Sequence, residues 1–247
     1  MKIMSVIPAR GGSKGVPQKN IRLLNGFPVI AYSIVASQLS KLIHRTVVST
    51  DSEEIAQISR EYGAEVPFLR PPALASDKSP DIEFVNHLLD FLQEIEGELP
   101  DYLIHLRPTT PLRDPKIIDE AIQVLLGTPN ATALRSGHVS SESPFKWFLK
   151  DANGFFKGVA SEFTNDMLNN PRQGFPDVYI PDGYVDVLDV KYIRESGNLH
   201  GPKIVAFESP QCTEIDTMRD FEILNFDLNT QDYDIFTHLK EKGLVHG

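Results

Sequence analysis

The sequence predicts an α/β fold with a mostly parallel central sheet and a small inserted region. Three observations predict it. Apolar runs of strand length alternate with helix-length segments through the first half of the chain. The joins carry helix-start residues, Thr50-Asp51-Ser52 and Asp114-Pro115 among them. From about residue 136 to 201 the alternation gives way to short strands and loops. Strands separated by helices imply right-handed βαβ units, and ligands of such sheets sit at the carboxyl ends of the strands.

The elements follow in order. Residues 3–9 are almost wholly apolar, as in a strand covered on both faces. A helix at 28–40 comes next, then a strand at 45–49 and a helix at 52–62. A short strand is expected at 66–69, a helix at 81–95 and a strand at 102–106. Asp114-Pro115 opens a helix at 115–126, and residues 131–134 read as a strand. The irregular stretch contains Lys146-Trp147-Phe148 and Asn169-Asn170-Pro171-Arg172-Gln173, a pattern suited to a lid or a dimerisation arm. A strand at 203–208 and helices at 218–226 and 231–242 close the chain. The α/β domain therefore takes residues 1–135 and 202–247, and the insertion takes 136–201.

The chain has 247 residues and 41% hydrophobic residues, enough for one substantial core. Its formal net charge is −10, opposite to the balance of a general nucleic-acid binder, so no nucleic-acid partner is expected. One cysteine, Cys212, excludes an intrachain disulfide and a cysteine-based zinc cluster. No activating pattern surrounds it, and it reads as a small buried hydrophobe. No run approaches the ~20 apolar residues of a membrane span, and the first residues lack the h-region of a signal peptide. A cytoplasmic protein with no membrane partner is the expectation.

Several loops bear the chemistry. The first is Ala9-Arg10-Gly11-Gly12-Ser13-Lys14-Gly15, with Lys19-Asn20 after it. Glycines let backbone N–H groups approach an anion, and Arg10, Lys14 and Lys19 can neutralise it. The spacing is neither a P-loop nor G-x-G-x-x-G. A glycine-rich connection with solvated cations is the alternative. The second loop is Phe68-Leu69-Arg70-Pro71-Pro72-Ala73-Leu74-Ala75-Ser76-Asp77, where a surface arginine beside a rigid turn is the plainer reading. The third, Arg107-Pro108-Thr109-Thr110-Pro111-Leu112-Arg113, offers two hydroxyls and two guanidiniums, or simply caps the next helix. Lys146, Arg172 and Gln173 are cleft candidates or surface residues. Glu214-Ile215-Asp216 puts two carboxylates on one face of an extended segment. Such a pair suits Mg²⁺ beside a nucleotide, or is merely solvated.

Taken in order, these segments, together with Val48-Ser49-Thr50-Asp51 and Ile215-Asp216-Thr217, resemble the N-acylneuraminate cytidylyltransferases, also called CMP-sialic acid synthetases. The resemblance covers nearly the whole chain. It implies a Rossmann-like nucleotidyltransferase fold, a homodimer, and an insertion that serves dimerisation and sugar contact. It implies transfer of CMP from CTP to the anomeric hydroxyl of an acidic 2-keto sugar, a sialic acid or related nonulosonate. Pyrophosphate is released and Mg²⁺ is the cofactor. By motif match, Arg10, Lys19 and Asp216 would be catalytic. Ala9, Arg10, Gly11, Gly12, Ser13, Lys14, Asn20 and Arg70 would bind the nucleotide. Arg107, Thr109, Lys146, Arg172, Gln173 and Asp182 would bind the sugar. Glu214 and Asp216 would hold the metal.

The chain departs from that family where the sugar is read. Arg107 stands where glutamine is usual, Asp182 where asparagine is usual, and Asp81 where serine or threonine is common. Glu214 replaces the usual first metal-binding aspartate. Gln to Arg adds charge and donors, which points to an acceptor other than N-acetylneuraminate, with Arg107 reading a polar or anionic group and Asp182 a hydroxyl or amine. The alternatives are a 3-deoxy-manno-octulosonate-type cytidylyltransferase and a catalytically silent sugar-nucleotide binding protein on the same fold.

Overall fold

The computed structural model describes residues 1–12 and 15–243. Strand β1 (Ile3–Pro8) is followed by a small ribbon, β2 (Leu23–Leu24) and β3 (Phe27–Pro28), and by α1 (Val29–Leu39). Then come β4 (Arg45–Ser49), α2 (Glu53–Glu61), α3 (Asp81–Phe91), β5 (Tyr102–His105), α4 (Pro115–Leu126) and β6 (Ala133–Val139). A hairpin of β7 (Phe148–Lys150) and β8 (Phe156–Gly158) precedes β9 (Tyr179–Asp189) and α5 (Val190–Ser196). The chain closes with β10 (Ile204–Glu208), α6 (Met218–Thr230) and α7 (Asp234–Glu241).

Six strands form one sheet in the order β10-β6-β9-β5-β1-β4. β1 pairs in parallel with β4 and β5, and β6 with β10; β9 runs antiparallel between β5 and β6. Side chains of β1 alternate between two cores. Ile3 and Ile7 pack with α1, α4, α6 and α7, whereas Met4 and Val6 pack with α3 and α5. This two-sided burial explains why β1 is apolar but for Ser5.

Helix α1 is buried from Val29 to Ser37, so it is apolar all round rather than on one stripe. Tyr32 stacks on Phe236 of α7 with ring centroids 6.4 Å apart. The hydroxyls it carries toward the sheet satisfy one another: Ser37 Oγ lies 2.7 Å from both Ser5 Oγ and Thr46 Oγ1. Ser52 caps α2 by accepting from Ile55 N at 3.4 Å, and Asp114 caps α4 by accepting from Lys116 N at 2.8 Å. Among the described residues no helix is long and apolar enough to cross a membrane.

The structure departs from the sequence reading in five places. Residues 66–69 form no strand; two isolated bridges, Val47 to Glu65 and Thr50 to Leu69, replace it. Pro67 has no N–H for a ladder, and β4 beside it is the edge of the sheet. Helix α3 ends at Phe91 and continues as a wider turn, Leu92–Glu96, to Gly97 with φ 74°. Strand β6 runs on to Val139, and α6 to Thr230. Most consequential, the stretch 136–201 supplies β9 to the middle of the central sheet, followed by the unforeseen α5. Outside the sheet remain residues 140–178, where Phe148 and Phe156 stack at 5.3 Å and Phe163 and Phe175 meet at 5.1 Å.

Candidate active site

A cleft of about 480 Å³ opens at the carboxyl ends of β1, β4 and β5. It gathers residues from every motif of the α/β domain: Arg10, Gly15, Lys19 and Asn20; Arg70; Arg107 and Thr109; Glu214 and Asp216. Asp77, Asp81 and Phe84 complete the wall. Ser13 and Lys14 lie outside the described residues.

The opening loop is held by Asp51, which follows β4, and by its own Asn20. Gly11 N donates to Asp51 Oδ1 at 2.9 Å, and Asn20 Nδ2 donates to Arg10 O at 2.9 Å. Ala9 is fully buried and its N–H donates to Ser49 O, which makes it part of the sheet. Arg10 is half-buried and donates to Asp77 Oδ1 at 2.5 Å. Among the described residues no neighbour crowds the position of a Cβ on Gly12.

Lysine 19 ties this loop to the acidic pair. Its Nζ donates to the Ile215 carbonyl and lies 3.5 Å from Asp216 Oδ1. Gly15 packs on the same segment, so closely that a Cβ there would lie 2.7 Å from Asp216 O. From the other side, Ile215 N donates to Thr109 O at 2.8 Å, and Thr109 Oγ1 donates to Glu214 Oε1 at 3.0 Å. The capping aspartate of α6 finishes the turn. Asp220 accepts from Asp216 N at 2.9 Å and Thr217 N at 2.6 Å. Burial would raise the Asp220 carboxyl, but these bonds outweigh it and hold it below the usual carboxylate range.

The arginines that the sequence offers as equals have separate duties. Arg70 is buried and donates to Ser49 Oγ at 3.0 Å and to the Ser49 carbonyl, with its guanidinium 5.0 Å from the centre of the Phe84 ring. Burial pushes it down to about 10. Arg107 faces the cleft and donates to Asp81 Oδ2 at 2.7 Å. Arg113 is enclosed and donates to Tyr184 O, Ser33 Oγ, Arg107 O and Gly183 O. It clamps the loop after β5 to strand β9, and burial pushes it too down to about 10.

Four of the sugar-site candidates are not among the residues lining this cleft. Lys146 Nζ donates to Asn170 O at 2.9 Å, and Arg172 and Gln173 form a short 3-10 turn, all outside the central sheet. Asp182 is buried. Its Oδ1 accepts from Ser136 Oγ at 2.6 Å and Tyr184 N at 3.0 Å; its Oδ2 faces Ser209 Oγ and, at 3.3 Å, His138 Nδ1. Its carboxylate is thereby spent on joining β6, β9 and the segment after β10. Cys212 accords with an inert thiol, since burial pushes it up to about 12. The sequence reading gave no site role to Asp51 and Asp77, although both lie in its motifs, and it missed Asp220. Asp220 had a signal, the Thr217-x-x-Asp220 pattern of a helix start.

Residues 4–150 match the family model described as cytidylyltransferase. The chain belongs to the cytidylyltransferase family. Over 124 residues it is 46% identical to the CMP-N,N'-diacetyllegionaminic acid synthase of Legionella pneumophila, a match covering 50% of this chain and 53% of that protein. The chain thus spans about half the length of that relative. It is 32% identical over 227 residues to the CMP-N,N'-diacetyllegionaminic acid synthase of Campylobacter jejuni, covering 91% of this cytidylyltransferase and 94% of the relative. Among solved structures, CMP:2-keto-3-deoxy-manno-octonic acid synthetase complexed with CTP superposes with a TM-score of 0.65 at 16% identity. It covers 93% of this chain and 99% of that one, a likeness of fold.

Proposed function

We propose that this cytidylyltransferase transfers CMP from CTP to the anomeric hydroxyl of an acidic nonulosonate sugar, in the cytoplasm and as a homodimer. One observation carries the reading. Lys19 bridges a cation-bearing glycine loop to a pair of carboxylates, so that phosphate-binding and acidic groups share one wall of the cleft. Two relatives named for N,N'-diacetyllegionaminic acid make that sugar the first acceptor to test.

In the proposed reaction the sugar hydroxyl oxygen attacks the α-phosphorus of CTP in line. A P–O bond forms to the sugar, the bond to the β-phosphate oxygen breaks, and the hydroxyl proton passes to solvent. Such transfers depend on positioning and on stabilising the departing charge. Arg10 would leave its half-exposed partner Asp77 to pair with phosphate, and Lys19 would stabilise leaving pyrophosphate from below. Arg70 and Asn20 would shape the nucleoside end.

The donor set fits Mg²⁺. The Asp216 side chain is 75% exposed, Glu214 lines the same cleft, and among the described residues no third histidine, cysteine or acid joins them. Mg²⁺ commonly uses one or two carboxylates and completes its shell with phosphate oxygens and water. Bound by Glu214 and Asp216, it would neutralise triphosphate charge.

The test is pyrophosphate release from each of the four NTPs with a panel of 2-keto sugar acids. Release is expected with CTP and a nonulosonate only, and to stop when EDTA removes Mg²⁺. A Glu214→Ala/Asp216→Ala variant should keep its thermal midpoint and lose at least about a hundredfold in turnover. Undiminished turnover refutes the metal role, and release without any sugar refutes the transfer.

A further inference from the structure

Asp186 is a carboxylate that the reaction above leaves unused. It lies on β9 opposite His105 of β5 and is 2% exposed. A charge this deep needs partners. Its Oδ1 lies 3.4 Å from Arg135 Nε. Among the described residues its Oδ2 makes no hydrogen bond, yet His105 Nδ1 and His200 Nε2 stand 3.8 Å away and Arg107 Nη2 3.9 Å away.

Arg107 is the member of this group that reaches the cleft. The same Nη2 that faces Asp186 donates to Asp81 Oδ2 at 2.7 Å, so one guanidinium sits between a buried and a half-exposed carboxylate. Its stem is confined as well. Gly183 has φ +63°, and a Cβ there would lie 2.9 Å from Arg107 Cδ.

We propose that Asp186 is a positioning residue: with Asp81 it fixes the Arg107 guanidinium so that its remaining N–H donors face the sugar acceptor. This rests on the cleft's being a CTP and sugar site. Burial alone would raise the Asp186 carboxyl, but His200, His105, Arg135 and Arg107 outweigh it and keep it below its usual range. Burial, then Arg107, pushes the His105 imidazole down from its ordinary value. Asp81 and Asp186 then cancel Arg107 and Arg135. Arg107 offers directed donors rather than free positive charge, which suits a neutral sugar oxygen such as a hydroxyl or an amide carbonyl.

A double-mutant cycle tests this, with Asp186→Asn and Arg107→Gln singly and together. CTP and N,N'-diacetyllegionaminic acid are each varied in turn. Each single variant should raise the acceptor KM about tenfold and leave the CTP KM within about twofold, and the double variant should match Arg107→Gln alone. Additive effects, or equal rises in both KM values, overturn the proposal and leave Asp186 a purely structural residue. If the asparagine variant does not fold, Asp186→Ser replaces it in the same cycle; if neither folds, Asp186 serves stability and the proposal falls. The parent enzyme separates the two readings. Turnover by the parent with an additive cycle removes only the positioning role, whereas a parent that turns over no sugar acid removes both.

Discussion

Gly15 shows how a single backbone position holds this site together. Its missing side chain lets the opening loop rest on the Asp216 carbonyl, where a Cβ would intrude to 2.7 Å. A backbone oxygen cannot swing aside as a side chain can, so Gly15→Ala must displace the segment that carries Glu214 and Asp216. We expect kcat/KM for CTP to fall at least about tenfold, because small misplacements of reacting groups are costly; steady-state kinetics with activity within twofold of the parent would contradict this. At this scale the sequence was readable in kind but not in detail. Arg70, Arg107 and Arg113 look alike in a row of letters. Only the fold shows that Arg113 binds neutral oxygens in the interior, that Arg70 braces Ser49, and that Arg107 is exposed to the cleft. Asp182 was a sugar-contact candidate because it stands where the resembled family usually has asparagine, yet Ser136, Tyr184, His138 and Ser209 surround it.

Among the elements, α6 does more than pack. Its first turn places the Asp220 carboxylate under the backbone N–H groups of Asp216 and Thr217. Asp220→Asn should cost up to about 1 kcal/mol at pH 7, the worth of a negative charge at a helix N-terminus. The sign of its pH dependence follows from the lowered folded pKa. The contribution is complete above the unfolded carboxylate value of about 4 and disappears as pH falls through the lower folded value. Denaturant titrations of parent and variant should therefore diverge at pH 7 and converge in acid; a constant gap would contradict the assignment. Element prediction succeeded where local pattern and tertiary context agree. β4 and α4 are found with the expected ends, Arg45–Ser49 and Pro115–Leu126, because an apolar run and a Pro-opened helix are strong signals. It failed at 66–69, where Pro67 vetoes a ladder that the apolar side chains favour. It failed again at β9, whose Pro181 and Gly183 imitate a turn. There the strand passes through an irregularity opposite Arg135 and Gly137.

For the molecule as a whole, an acidic chain gathers Arg10, Lys19, Arg70 and Arg107 around one cleft and leaves a cluster of exposed apolar side chains on the arm outside the sheet. Trp147, Phe155 and Phe156 are 53%, 72% and 64% exposed there. Patches of this kind mark association surfaces, and the proposed homodimer would bury them. Light scattering should give twice the chain mass for the parent and the chain mass for Phe156→Asp; a monomeric parent would contradict the dimer. The most direct measurement of the central claim is ³¹P NMR of the enzyme with CTP, Mg²⁺ and N,N'-diacetyllegionaminic acid. The account predicts that the three CTP resonances give way to one phosphodiester signal from a CMP-sugar and an equimolar pyrophosphate signal. Persistence of CTP with every nonulosonate offered, or its conversion to free CMP or CDP alone, would contradict it.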